Sequence, residues 1–297
     1  MTDTLGAWID REVRYAATAM LKSVSATSIV KSRPGFGQSI RAAKGSVVAS
    51  PVLGAYDPDP DYFFHWFRDS ALVIDALRLL YEDQIVGNDA LTILEEFVSF
   101  SASLNSLDGR ALASAPARRD KVTPEFGKYV RTDAELSLIH GDAVLADTRV
   151  NPDGTLDISK WARPQHDGAP LRAMALSRWS PHVKGKLANQ LDELAQRDLD
   201  FTRRHWREPS YDIWEERLGR HFYNVCVSAA ALGEDPSVLD ALWDDKLDIA
   251  MILAAIHSGW FIDDPRMHAT LAKLEAAFRG RALGRYIGDV YYGGGAW

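Results

Sequence analysis

Trp66-Phe67-Arg68-Asp69-Ser70-Ala71-Leu72-Val73-Ile74, continuing to Leu77, Leu79 and Leu80, is the stretch that decides the fold class. Over residues 69–84 apolar side chains fall almost all round a helical wheel, with Asp69 where an N-cap or first-turn acid would sit. A helix apolar on most sides is buried on most sides. Leu91, Leu94, Phe97 and Val98, and farther on Leu187, Leu191, Leu194 and Ala195, form one-sided apolar stripes instead, which predict helices that cover others. Met267, Leu271, Leu274 and Phe278 repeat at the same spacing after Asp263-Asp264-Pro265 and before Gly280, a start signal and a stop signal. Residues 238–256 satisfy the same criterion as one helix. Buried helices alternating with amphipathic ones across long connections predict an all-α chain of paired helices in two layers, since a four-helix bundle wants shorter connections.

Strand signals are confined to the middle. Residues 107–165 read as an elaborated loop, in which the turn Asn151-Pro152-Asp153-Gly154 separates Ala143 to Val150 from Thr155 to Ser159, two runs able to pair as a hairpin. No linker, strict repeat or low-complexity tract divides the 297 residues, so one domain over 1–297 is expected.

A net charge of −7 and the lack of a basic run exclude a nucleic-acid footprint. No stretch reaches the roughly 18 apolar residues of a membrane span. Met1 to Ala19 carries Asp3, Asp10, Arg11, Glu12 and Arg14 and so does not read as a signal peptide, which makes a cytoplasmic location the expectation. The single cysteine, Cys226, lies in an apolar run and reads as a small buried hydrophobe. With scattered histidines and no metal-binding spacing, no metal or other cofactor is expected.

Four polar or aromatic islands each precede a predicted helix or end the chain. The first is Asp61-Tyr62-Phe63-Phe64-His65-Trp66-Phe67-Arg68-Asp69-Ser70. The second is Trp161-Ala162-Arg163-Pro164-Gln165-His166-Asp167-Gly168, the third is Tyr211-Asp212-Ile213-Trp214-Glu215-Glu216, and the fourth runs from Gly284 to Trp297. Ring faces beside charged, fork-shaped groups suit a sugar, whose C–H faces stack and whose hydroxyls need placed donors and acceptors. A carboxyl beside an indole loses solvation for its charged form and can serve as a proton donor. Each island also has a plain structural reading: Asp69 and Asp167 as helix caps, Arg68 in a surface ion pair, the Trp214-Glu215 pair as a helix start or a surface ion pair.

Taken in order, the islands resemble the glucoamylase and glucodextranase family of glycoside hydrolases, family 15. Trp66-Phe67-Arg68-Asp69-Ser70-Ala71-Leu72-Val73 is similar to its first motif, and Gly45 to Pro51 to the segment before it. Arg163-Pro164-Gln165-His166-Asp167-Gly168 with Leu171-Arg172-Ala173 is similar to the second, with His166 where Arg is more usual. Asp212-Ile213-Trp214-Glu215-Glu216 is similar to the third, and Gly284-Arg285-Tyr286 with Asp289, Tyr291, Tyr292 and Trp297 to the fourth.

The resemblance implies an (α/α)6 toroid and an exo-acting, inverting hydrolase that releases β-D-glucose from terminal α-glucosidic bonds of oligo- or polysaccharides. Glu215 would be the general acid, Arg68 and Asp69 would grip the terminal glucose, and Glu216 and Arg285 would meet the next sugar. Trp161 and Trp297 would be aromatic walls, with Tyr62 a further stacking surface. Inversion needs a second carboxylate roughly 6.5 to 9.5 Å from the acid. In the family that base lies beyond the fourth motif, so it is expected beyond Trp297, in a toroid of which this chain would be a part. The alternative is a glucoside-binding or regulatory chain that keeps the gripping residues and lacks the base.

Overall fold

The computed structural model describes residues 4–53, 61–115, 120–243, 247–279 and 284–289. The described residues are mostly helical, as the apolar periodicity predicts. In order, α1 is Leu5–Leu21, α2 Phe67–Glu82, α3 Asp89–Ser103, α4 Gly109–Ala113, α5 Asp133–Ser137, α6 Gly168–Trp179, α7 Gly185–His205, α8 Phe222–Leu232, α9 Ala250–Ser258 and α10 Pro265–Phe278. Three short ladders tie loops together: β1 (Val30–Arg33) with β2 (Gln38–Arg41), β3 (His65–Trp66) with β4 (Arg149–Val150), and β5 (Ser210–Tyr211) with β6 (Leu218–Gly219), all antiparallel.

Helices α6 and α8 are the most buried members. Nine residues of α6, from Gly168 through Trp179, and eight of α8 are inaccessible, so neither shows the one-sided pattern of a surface helix. The outer members α3 and α7 bury single stripes, Leu94–Phe97–Val98 and Leu191–Leu194–Ala195, the residues that the periodicity singles out. Inner and outer helices pair in two layers, as in an (α/α)6 toroid. Polar ties fix the pairing within the apolar core. Trp179 Nε1 donates to the Ile74 carbonyl at 2.9 Å across α6 and α2, and Arg172 grips Asp198 of α7 through two bonds of 2.7 Å.

Gly168 sets the closest approach. A Cβ there would lie 2.5 Å from the Phe67 Cβ and 3.1 Å from the Arg68 nitrogen, so only glycine lets the start of α6 meet the start of α2. Pro170 follows at the third helical position, where its missing N–H costs nothing because first-turn donors have no partner within the helix.

Several expectations need correction. Helix α2 starts at Phe67 with Trp66 as its N-cap residue, so of the two readings of Asp69 the first-turn acid holds and the cap does not. The predicted helix over 238–256 is broken. Pro236–Leu242 is a 3₁₀ segment capped by Asp235, and α9 starts only at Ala250. The break has a tertiary cause: Asp248 is extended against Tyr286 and its carboxylate accepts the Trp214 indole N–H, and the same carboxylate accepts the Ala250 N–H at 2.8 Å, which starts a new helix. The hairpin expected after Ala143 reduces to its turn, with Val150 bridged to Leu156. Gly141–Val144 is a 3₁₀ turn, and β4 pairs with β3.

Candidate active site

Glu215 stands on a turn between β5 and β6, whose register sets Ser210 against Gly219 and Tyr211 against Leu218. The turn is organised by Asp212, which accepts the N–H groups of Glu216 and Arg217 on its carboxylate and that of Glu215 on its carbonyl. Glu215 itself has φ +62°. A non-glycine residue in the left-handed region costs on the order of 1–3 kcal/mol, and persists only where the surroundings impose it. The carboxylate thus projects into a cavity of about 670 Å³ that also exposes Tyr62, Trp66, Arg68, Asp69, Trp161, Glu216 and Arg285.

Three donors hold Glu215. Trp66 Nε1 and Arg68 Nη2 reach Oε1 at 2.9 and 3.1 Å, and Trp161 Nε1 donates to Oε2. The indole next to it in sequence, Trp214, instead gives its N–H to both oxygens of Asp248, at 3.0 and 3.1 Å. The rings around the carboxyl are therefore remote in sequence and present N–H edges, which orient the group as well as dry it.

Arg68 is the centre of a charged cluster. Besides Glu215 it meets Asp167 Oδ2 at 3.2 Å and Asp69 Oδ2 at 3.6 Å. Burial opposes its charge, but the carboxylates of Asp167, Asp69 and Glu215 outweigh it and hold its pKa above the ordinary value. Burial pushes the Asp167 carboxyl up to about 6 despite Arg68, and raises Asp69 in the same sense. Asp69 Oδ2 is buried against Arg68, while the side chain as a whole is 40% exposed at the cavity, which leaves the rest of the carboxylate as an acceptor for a ligand hydroxyl.

Glu216 lies on the same side. Arg285 Nη2 donates to its Oε1 at 2.7 Å and the Tyr286 hydroxyl to its Oε2 at 2.6 Å. Asp289 grips Arg285 from the other side at 2.7 and 2.8 Å and, with Glu216, keeps its pKa above the ordinary value. Trp161 and Tyr62 are partly exposed at the cavity, and the Tyr62 ring lies 6.0 Å from that of Trp66. Trp297 lies outside the described residues.

His166 points elsewhere: it is buried between the rings of Phe201 and His205, and burial lowers its pKa to about 4. Asp167 and Trp66 are site residues that the sequence reading passed over. Asp167 is the N-cap residue of α6 by position, as expected, yet its side chain caps nothing and turns to Arg68. Among the described residues no group of three or more His, Cys, Asp or Glu side chains could hold a metal ion; the cation amid these carboxylates is Arg68.

A family profile described as Glycosyl hydrolases family 15 matches residues 34–246. A probable glucoamylase of Schizosaccharomyces pombe is 26% identical over 301 residues, covering 84% of this chain and 59% of that protein. An intracellular sporulation-specific glucoamylase of Saccharomyces cerevisiae is 28% identical over 252 residues, covering 81% and 39%. The chain thus spans about half the length of these relatives. In fold it is similar to a glucoamylase of Hormoconis resinae, with a TM-score of 0.69 at 24% identity over 99% of this chain and 54% of that one.

Proposed function

The chain belongs to family 15 of the glycosyl hydrolases, and from that premise we propose that its cavity takes the terminal residue of an α-glucoside and that Glu215 protonates the glycosidic oxygen. The observation that carries this reading is the Glu215 carboxyl, held by three N–H donors at the mouth of a ring-walled cavity beside the Arg68–Asp69 pair. Arg68 and the exposed part of the Asp69 carboxylate supply a donor and an acceptor for sugar hydroxyls, while Trp161 and Tyr62 offer ring faces to the C–H faces of a pyranose. Glu216, fixed by Arg285 and Tyr286, meets the next sugar together with Arg285. Trp297 belongs to the same proposal as a further wall.

Chemically, protonation lets the leaving oxygen depart as charge builds on the ring. A water activated by a carboxylate on the opposite face then attacks with inversion and releases β-glucose. Asp69 and Asp167 are engaged with Arg68, and Glu216 stands beside the acid, so the base is assigned to none of them; the resemblance to the family implies a base outside the described residues. A single catalytic domain, an oligo- or polysaccharide as partner and a cytoplasmic setting complete the proposal. The last is supported by similarity to the intracellular yeast enzyme.

The test is Glu215→Gln in the native protein with a maltose-type α-glucoside. Turnover should fall on the order of 10³-fold or more, the range of a lost general acid, while affinity for a non-hydrolysable analogue stays within a few-fold. Undiminished turnover would overturn the assignment.

A further inference from the structure

Arg149 lies outside the four islands, in the segment that reads as loop. The β3–β4 register places it directly opposite Trp66, so the two side chains share a face of the ladder. It is 3% exposed. Its Nε donates to Asp157 Oδ2 at 2.9 Å and its Nη2 to Ser159 Oγ at 3.1 Å, while Nη1 is buried without a hydrogen-bond partner. What the guanidinium meets on that side is rings. Its central carbon lies 3.8 Å from the ring centroid of Trp161, 4.0 Å from Phe64 and 4.8 Å from Trp66.

An indole is a rigid plate with one donor, so fixing the plate fixes where the N–H points. Trp66 and Trp161 stand nearly perpendicular, 79° apart with centroids at 6.2 Å, and they donate to different oxygens of Glu215. Trp66 is enclosed by the protein, whereas Trp161 is 42% exposed and so has little packing of its own to hold it. A planar cation stacked on its face can supply that hold.

We infer that Arg149 is a positioning residue: its guanidinium seats the indoles of Trp66 and Trp161 and so sets the direction of the two N–H donors that hold Glu215. The inference deepens the proposed function and rests on Glu215 being the proton donor. The rival account is that Arg149 merely pairs with Asp157 in a structural ion cluster. Arg131 separates the two, because it pairs with Asp147 of that same cluster at 3.0 Å and donates to the Asp157 carbonyl.

The experiment compares Arg149→Lys with Arg131→Lys in the native protein. Lysine keeps a cation for the partner carboxylate but loses the plane, so a purely ionic role would survive both changes. With Arg149→Lys, kcat should fall on the order of tenfold or more with little change in KM, as a small misplacement of a reacting group can cost that much. The tryptophan bands of the near-ultraviolet circular dichroism should change with it. With Arg131→Lys, kcat should stay within about twofold and the spectrum should be unchanged. In a Trp161→Phe background, Arg149→Lys should cost much less than it does alone, because two residues acting on one carboxyl do not add. Full activity of Arg149→Lys, an equal loss in Arg131→Lys, or strict additivity with Trp161→Phe would overturn the inference. The spectral comparison needs no turnover: an inactive wild type would sink the hydrolase reading and leave the seating of the indoles tested on its own.

Discussion

Two buried ion clusters lie on either side of the Trp66 and Trp161 rings, and they differ in one ratio. On the cavity side a single guanidinium, Arg68, faces the carboxyls of Asp69, Asp167 and Glu215 at 3.6, 3.2 and 3.1 Å. On the far side the guanidiniums of Arg131, Arg149 and Arg163 share the carboxylates of Asp147 and Asp157. Burial raises a carboxyl's pKa in both, but the outcome diverges. Asp167 is pushed up to about 6, whereas Arg149 and Arg163 outweigh burial at Asp157 and hold it well below the ordinary range. The charge ratio thus decides which cluster exchanges protons near neutral pH and which stays a fixed frame. An excess of carboxyls around one cation is a place for chemistry, while an excess of cations that saturates its carboxylates is a support.

The largest effect expected from breaking this contrast is on stability, at the frame. Asp157 accepts from Arg149, Arg163 and Ser159, all largely buried. Asp157→Asn would leave two interior guanidiniums short of their counter-charge, which in buried pairs costs about 3–5 kcal/mol. Urea unfolding of variant and wild type measures it. A loss under about 1 kcal/mol, the range of surface pairs, would show that the cluster frames nothing.

Next in size is the proton balance on the cavity side. A carboxyl whose folded pKa lies near 6, above its ordinary 3.8, binds more protons folded than unfolded between those values, so its contribution to stability is lost as pH rises through that window. Asp167→Asn mimics the protonated form and should escape the loss. Relative to wild type the variant should gain on the order of 2 kcal/mol between pH 4 and pH 6, from the usual conversion of a pKa change to free energy. Thermal unfolding at a series of pH values reads it. A relative loss over that window would mean that Arg68 dominates burial, and the two clusters would then be alike.

How much of this was legible in the sequence follows from chain separation. Local facts survived translation: the stripe of Leu91, Leu94, Phe97 and Val98 and the Asp264-Pro265 helix start fall where the pattern puts them, and the motif residues Arg68, Asp69, Glu215, Glu216 and Arg285 line one cavity. Partners were not legible. Arg68 meets Asp167 across 99 positions and Glu215 across 147, and Trp66 meets Glu215 across 149. Asp167 before Gly168 and Pro170 satisfies every local rule for a cap, and only the approach of α6 to α2 diverts its carboxylate. Arg149 was hidden for a related reason. Its role depends on a two-residue ladder with β3, and no periodicity can announce a ladder that short. The helix over 238–256 failed because Asp248 makes a tertiary contact with Trp214 that outweighs local helical preference.

The smallest expected effect falls on the boundary itself, at Trp66. Its ring lies against Arg149 on the frame side while its N–H reaches Glu215 on the cavity side, so one side chain serves both clusters through different parts. Trp66→Phe keeps an aromatic face for the guanidinium and removes the single donor. Stability should therefore hardly move, within about 1 kcal/mol, the scale of a conservative aromatic change. Turnover of an α-glucoside should fall by roughly tenfold, since one hydrogen bond to a charged group is worth about 1.5–3 kcal/mol and Arg68 and Trp161 remain to hold the carboxyl. Steady-state kinetics beside urea unfolding separates the two roles. If stability fell sharply while turnover held, Trp66 would belong to the frame alone, and the boundary between support and chemistry would have to be drawn inside the cavity, at Trp161.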